Sequence, residues 1–93
     1  MFSVMASSNS AGGLTLVLVG NVSIDVLPQI DRLVGDGRRL PGRVMLDLSE
    51  VTLMDRTAAR FFAEQLDRGV ELVDCPNYLK HWITRETKHE RED

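Results

Sequence analysis

The chain has 93 residues, of which 43% are hydrophobic and 27% charged, and 11 Lys and Arg against 14 Asp and Glu give a formal net charge of −3. This length suits one domain with one modest core and excludes a large internal active site. The acidic balance excludes a general basic surface for nucleic acid, and no apolar run reaches the ~20 residues of a membrane-spanning helix. Cys75 is the only cysteine, so no internal disulfide can form and we expect a cytoplasmic, reducing location.

The N-terminal residues predict a β-hairpin. Residues 1–5 carry an apolar strand pattern, and residues 6–13 contain serines, an asparagine and two glycines that are typical of a turn. Residues 14–19 are all β-branched or apolar, which suits a strand that is covered on both faces.

A helix with one buried stripe is predicted next. Its apolar residues recur at helical spacing: Leu27, Ile30, Leu33 and Val34. Pro28 is compatible with this helix only in its first turn, so we expect Ser23 or Asp25 to cap the start.

The second half of the chain predicts alternating strands and helices. Residues 44–48 alternate as a buried strand, residues 57–68 form a helix, residues 70–73 a short strand and residues 77–83 a last amphipathic helix. The order ββαβαβα predicts an α/β fold with a mixed four-stranded sheet, an N-terminal antiparallel strand followed by parallel strands, and helices packed on it. We place the domain at residues 1–83 and a charged C-terminal tail at residues 84–93.

The segment LDLSEVTLMD, residues 46–55, resembles the central motif of STAS domains, the family that includes bacterial anti-sigma-factor antagonists and the cytoplasmic tails of sulphate transporters. In that family a strand reading LDLS precedes a V-x-hydrophobic-hydrophobic-D pattern, and SSG then opens a helix. The resemblance extends over roughly residues 2–83 and implies the STAS fold.

The chain departs from this family at the regulatory positions. Arg56 stands where the family's phosphoacceptor serine follows the aspartate, and Thr57 and Ala58 replace the serine and glycine after it. Ser23 is a hydroxyl at a position where the family often has an aspartate. The resemblance therefore implies a module without serine-phosphorylation switching, shortened at its C-terminus because only ten polar residues follow Ile83.

The residues around the motif allow both structural and functional interpretations. Asp55 is best explained as an N-cap of the following helix. Arg56 opposes the helix dipole, so it either extends into water or pairs with Asp55, or it provides a permanent positive contact for an acidic partner. Thr57 is a possible phosphoacceptor at a helix start, where an anion is favourable, although threonine is also common there for capping reasons alone.

Two further side-chain groups have mainly structural interpretations. Cys75 precedes a proline at a strand-to-helix junction and is expected to be a small buried hydrophobe and not a reactive thiol. Tyr78, Leu79 and Trp82 form a stripe that is typical of core. The histidines lie at no metal-ligand spacing, so the sequence predicts no metal, and it predicts no cofactor.

The resemblance implies a protein-interaction module and not an enzyme. In STAS-type antagonists the loop before the aspartate and the helix after it bind a partner, often an ATP-binding anti-sigma kinase. Carried onto this chain, the partner-binding residues are Ser23, Asp55, Arg56, Thr57 and Arg60. The alternative is a cytoplasmic accessory subunit of a lipid or anion transport complex, whose partner is a transporter ATPase; neither role involves nucleic acid or membrane insertion.

The last predicted strand, residues 70–73, becomes a sheet edge in this arrangement. Natural proteins seldom leave such an edge open. We therefore expect the tail, residues 84–93, or a second copy of the chain in a homodimer, to cover it.

Overall fold

A computed structural model describes residues 1–10 and 12–92, except for the side chains of residues 87–92. The strands and helices occur in the predicted order. Their bounds are β1 Phe2–Ser8, β2 Leu14–Val22, a 3₁₀ turn Ile24–Val26, α1 Leu27–Gly37, β3 Val44–Met54, α2 Arg56–Asp67, β4 Glu71–Val73 and α3 Asn77–Glu92.

The four strands form one mixed sheet with the order β1-β2-β3-β4. β1 pairs antiparallel with β2, whereas β2 with β3 and β3 with β4 are parallel. Each parallel pair is joined through a helix, α1 or α2, because a parallel connection must return to the same end of the sheet. The predicted fold class is confirmed.

One face of the sheet and the three helices share a single hydrophobic core. Leu16 and Leu18 of β2 are fully buried in it, together with Leu46 and Leu48 of β3. The helices contribute buried residues to the same cluster: Ile30, Val34, Ala58, Ala59, Phe62, Ala63, Leu79 and Ile83.

The expectation that β2 is covered on both faces is wrong. Val17 and Val19 are partly exposed and lie outside the core cluster. Alternate side chains of a strand point to opposite faces, and the core occupies only the face that carries Leu16 and Leu18. Strand β2 therefore has one buried face and one partly exposed apolar face.

Several boundaries differ from the sequence prediction. The strand predicted over residues 44–48 continues through residues 49–54 as β3. The last helix does not end near residue 83 but runs on to Glu92. The α1 region begins with a 3₁₀ turn, and Pro28 lies in the first turn of α1 as predicted. Neither expected cap forms a side-chain bond there: Ser23 is the N-cap residue of the 3₁₀ turn, without such a bond, and Asp25 lies within the turn.

Among the described residues, β4 is an edge strand, as predicted, and pairs only with residues 45–47 of β3. The proposed cover by the tail falls largely on residues 87–93, which lie outside the described side chains. Within the described part of the chain, no helix is both long and apolar enough to cross a membrane.

Candidate functional site

The candidate site lies where the parallel strands β2 and β3 end side by side. Val22 pairs with Met54 at the last step of this ladder. The residues that follow each strand, Ser23 and Asp55, therefore emerge next to each other. In open α/β sheets, the carboxyl ends of parallel strands are where ligands usually bind.

Asp55 connects the two chain segments that leave these strands. Its Oδ1 accepts a hydrogen bond from the backbone N–H of Ala58 at 2.8 Å, which confirms the predicted N-cap of α2. Its Oδ2 accepts a second bond, from the backbone N–H of Ile24 at 3.1 Å. The backbone N–H of Asp55 also donates to the carbonyl of Val22 at 3.3 Å. One carboxylate thus fixes the 3₁₀ turn against the start of α2.

Arg56 and Arg60 of α2 both approach Glu86 of α3. The Nε–Oε distances are 3.5 Å for Arg56 and 3.6 Å for Arg60, and the Glu86 side chain is only 9% exposed. These distances describe ion pairs and not short hydrogen bonds. The Arg56 side chain is 64% exposed, so it extends into water as one of the interpretations expected, and its ion-pair partner is Glu86. The nearby Glu86 carboxylate offsets the unfavourable position of Arg56 near the helix N-terminus.

The remaining predicted residues lie on the same side of the molecule. Ser23 is half-buried, and its carbonyl accepts from the N–H of Val26 at 3.1 Å. Thr57 is exposed in the first turn of α2. The fold thus brings Ser23 next to Asp55, with Thr57 beside them on α2, while Arg56 and Arg60 are directed toward α3.

Three exposed apolar residues surround this region, and sequence reasoning did not identify them as surface. Ile24 is 57% exposed, Leu53 59% and Tyr78 61%. The prediction of Tyr78 as core is wrong, because its hydroxyl reaches the carbonyl of Thr52 at 3.5 Å and its ring remains exposed. Sequence alternation did not indicate that Leu53 is exposed, because it lies two residues after the buried Val51 and would share the face of Val51 in a regular strand.

Clefts border the helices in the described part of the chain. A cleft of about 490 Å³ between α1 and α2 is lined by Ile24, Phe61 and Gln65, among others. A second, of about 590 Å³, lies between α2, β4 and α3, and its lining includes Cys75 and Lys80. Only the first adjoins the residues around Asp55, through Ile24.

Cys75, expected to be a small buried hydrophobe, is only partly buried. Burial raises the pKa of its thiol above the ordinary value, and the nearby Lys80 ammonium lowers it in part. The thiol donates to the carbonyl of Pro76 at 3.6 Å, and the side chain packs against the core. Among the described residues, no group of three or more His, Cys, Asp or Glu side chains could hold a metal ion.

Comparison with known proteins identifies the fold. No protein-family model matches the chain, and no curated protein matches its sequence. A solved structure of an uncharacterized protein of the DUF3478 family from Shewanella loihica PV-4, with a SpoIIAA-like fold, superposes with a TM-score of 0.54. The match has 17% sequence identity and covers 90% of this chain and 75% of that one. The chain therefore has the SpoIIAA-like fold, the fold of STAS domains.

Proposed function

We propose that this protein is a non-catalytic regulatory module, similar to the anti-sigma-factor antagonists, that binds a partner protein through a docking surface formed by Ser23, Ile24, Leu53, Asp55 and Thr57. The observation that carries the proposal is the pair of hydrogen bonds from Ile24 and Ala58 to the Asp55 carboxylate. These bonds hold two segments that are far apart in sequence as one surface.

The composition of the docking surface favours a protein partner. Ile24 and Leu53 are each more than half exposed, and the hydroxyls of Ser23 and Thr57 belong to the same surface. Exposed apolar side chains within a polar surround are typical of protein interfaces, where a few apolar anchors contribute most of the binding energy.

The environment of Asp55 supports a binding role over a catalytic one. Both of its carboxylate oxygens accept hydrogen bonds from backbone N–H groups. A general base needs a carboxylate directed at a substrate proton, whereas this one stabilises the backbone on either side of it.

The residues at the start of α2 favour a module without serine switching. Arg56 occupies the position after the aspartate and is paired with Glu86. Thr57 is the nearest exposed hydroxyl on α2. A phosphate there would be favoured by the helix dipole and would make the docking surface strongly negative.

Site-specific photo-crosslinking in the native host tests this proposal. A photoreactive amino acid replaces Leu53 in the docking surface or, as the control, Leu40, which is 43% exposed and precedes β3 at the opposite end of the sheet. We expect a specific protein adduct from position 53 that position 40 does not give. Adducts identical from both positions, or none from position 53, would contradict the proposal.

The mass-spectrometric identity of the adduct separates the two STAS-type roles. An ATP-binding anti-sigma kinase would support the antagonist role. A membrane transport ATPase would instead support the accessory-subunit role in the cytoplasm, with the same docking surface in use.

A further inference from the structure

We propose that a second copy of this chain pairs with β1, edge to edge and antiparallel, to form a two-fold symmetric dimer with one continuous eight-stranded sheet. The proposal concerns the opposite end of the sheet from β4 and does not depend on the docking surface. It rests on three properties of β1: its regular pairing, its lack of charge and the direction of its outer backbone groups.

β1 is a long and regular edge strand. All seven of its residues pair with β2 in one unbroken register, from Phe2 opposite Gly20 to Ser8 opposite Leu14. Within the described residues, no other strand pairs with its outer side. An edge of this length without a bulge is a template for another strand.

Features that usually prevent an edge strand from pairing with another chain, such as short length, charged side chains and proline, are absent from β1, whereas β4 is short and has charged residues. Residues 1–24 contain no charged side chain, and β1 contains no proline. β4 has only three residues, begins with Glu71 and is followed by Asp74. Two copies of a chain with net charge −3 repel each other, so they meet most favourably at β1.

The direction of the outer backbone groups follows from two hydrogen bonds. The N–H of Asn21 donates to the carbonyl of Met1, and the N–H of Asn9 donates to the carbonyl of Gly13. In an antiparallel ladder hydrogen-bonded pairs alternate with non-hydrogen-bonded pairs. The odd-numbered residues of β1 therefore bond to β2, and the even-numbered ones direct their N–H and C=O outward: Phe2, Val4, Ala6 and Ser8.

These outward groups define a register for the dimer. Centring the two-fold axis on Met5 opposes Phe2 with Ser8 of the partner copy and Val4 with Ala6 of the partner copy, so that every outward group finds a hydrogen bond. Met5 of one copy then lies opposite Met5 of the partner copy in a non-hydrogen-bonded pair, where side chains come closest. Met5 is 61% exposed in the single chain, and this contact would bury it. The assembly stops at a dimer, because the pairing occupies the single β1 edge of each copy.

Disulfide formation tests this register directly. In a Cys75→Ser background, Met5→Cys places two thiols on the axis, where Cα atoms about 4.5 Å apart are compatible with a disulfide. Ser3→Cys is the matched control, because the two copies of residue 3 would lie about 13 Å apart along the strand. We expect rapid oxidation by oxidised glutathione to a covalent dimer for Met5→Cys and not for Ser3→Cys. The reverse pattern would overturn the register.

Sedimentation equilibrium tests the association itself. We expect the unmodified chain to reach twice the monomer mass, and Met5→Lys to raise the dimer dissociation constant at least about tenfold through like charges on the axis. Leu53→Lys is the matched control, since Leu53 is equally exposed, at 59%, but lies away from β1. Ala6→Pro removes an outward N–H only and should also dissociate the dimer while leaving the fold intact. A monomer at all concentrations, or equal effects of Met5→Lys and Leu53→Lys, would overturn the proposal.

Discussion

The carboxylate of Asp55 accepts a hydrogen bond from the backbone N–H of Ile24, which lies 31 residues earlier in the chain. The same side chain caps α2 through the N–H of Ala58. This aspartate therefore combines a local role, the helix start, with a long-range role, the attachment of the 3₁₀ turn. The proposed docking surface depends on both roles, because together they hold the 3₁₀ turn beside the start of α2.

Replacing Asp55 tests this double role. Asp55→Ala should lower the free energy of unfolding by about 2 kcal/mol, because it removes a cap and leaves the N–H of Ile24 without its acceptor. Asp55→Asn keeps one acceptor oxygen and should cost about half as much. Urea unfolding followed by circular dichroism measures both, with Asp31→Ala, an exposed acid on α1, as the control. A loss no larger than that of the control would contradict the assignment.

The contact between Arg56 and Glu86 should contribute to the packing of α3 on α2. A double-mutant cycle with Arg56→Ala and Glu86→Gln should give a coupling energy of about 1 kcal/mol, modest because the Arg56 side chain is 64% exposed. Arg56→Glu should cost more than Arg56→Ala, since it places a like charge beside Glu86. Urea unfolding at low and high salt measures the coupling, and a value near zero at low salt would exclude this ion pair as a stabilising contact.

Replacing Gly20 and Gly35 by alanine should change the free energy of unfolding in opposite directions. Gly20 has φ +97°, and an added Cβ would collide with the carbonyl oxygen of Met1, so Gly20→Ala should destabilise by about 2 kcal/mol or more. Gly35 lies within α1 with open space around its Cα, so Gly35→Ala should stabilise by about 0.5–1 kcal/mol. Thermal unfolding of the two variants provides the comparison. The same sign at both positions would contradict the backbone geometry described for β2.

The Cys75 thiol should react slowly near neutral pH. Burial raises its pKa in the folded chain, so the thiolate, which is the nucleophile, forms only at more alkaline pH than in the unfolded chain. The rate of iodoacetamide alkylation should therefore rise at higher pH for the folded chain than for the chain in guanidinium chloride. Coincident pH profiles would contradict this environment.

The same pKa shift predicts how stability depends on pH. The folded pKa is raised, so the contribution of the thiol to stability is complete below the ordinary thiol pKa and is lost as the pH rises through the folded value. Cys75→Ser should remove this alkaline loss without altering the profile at neutral pH. An unchanged alkaline profile in the variant would assign the loss to other groups.

Local sequence patterns account for the order of the strands and helices and for part of the candidate site. The periodicity of α1 and α2, the position of Pro28 and the cap at Asp55 depend on interactions within a few residues, which composition and spacing encode directly. The resemblance of the LDLSEVTLMD segment to STAS domains, supported by the order of the other elements, predicted a fold that a solved structure with only 17% sequence identity shares.

The surroundings of each element depend instead on how the elements are packed. A periodic stripe shows that Leu79 and Ile83 are buried, but not that their neighbour Tyr78 faces solvent near the end of β3. The sequence suggested only the adjacent Asp55 as a partner for Arg56, whereas Glu86 reaches it because α3 packs along α2. The apolar run of β2 likewise does not show that the core covers only one face of the sheet. Its side chains alternate between the two faces, and both faces carry apolar residues that could be buried. Contacts between residues distant in sequence depend on the angles and spacing of packed elements, and these are properties of the folded chain and not of any single segment.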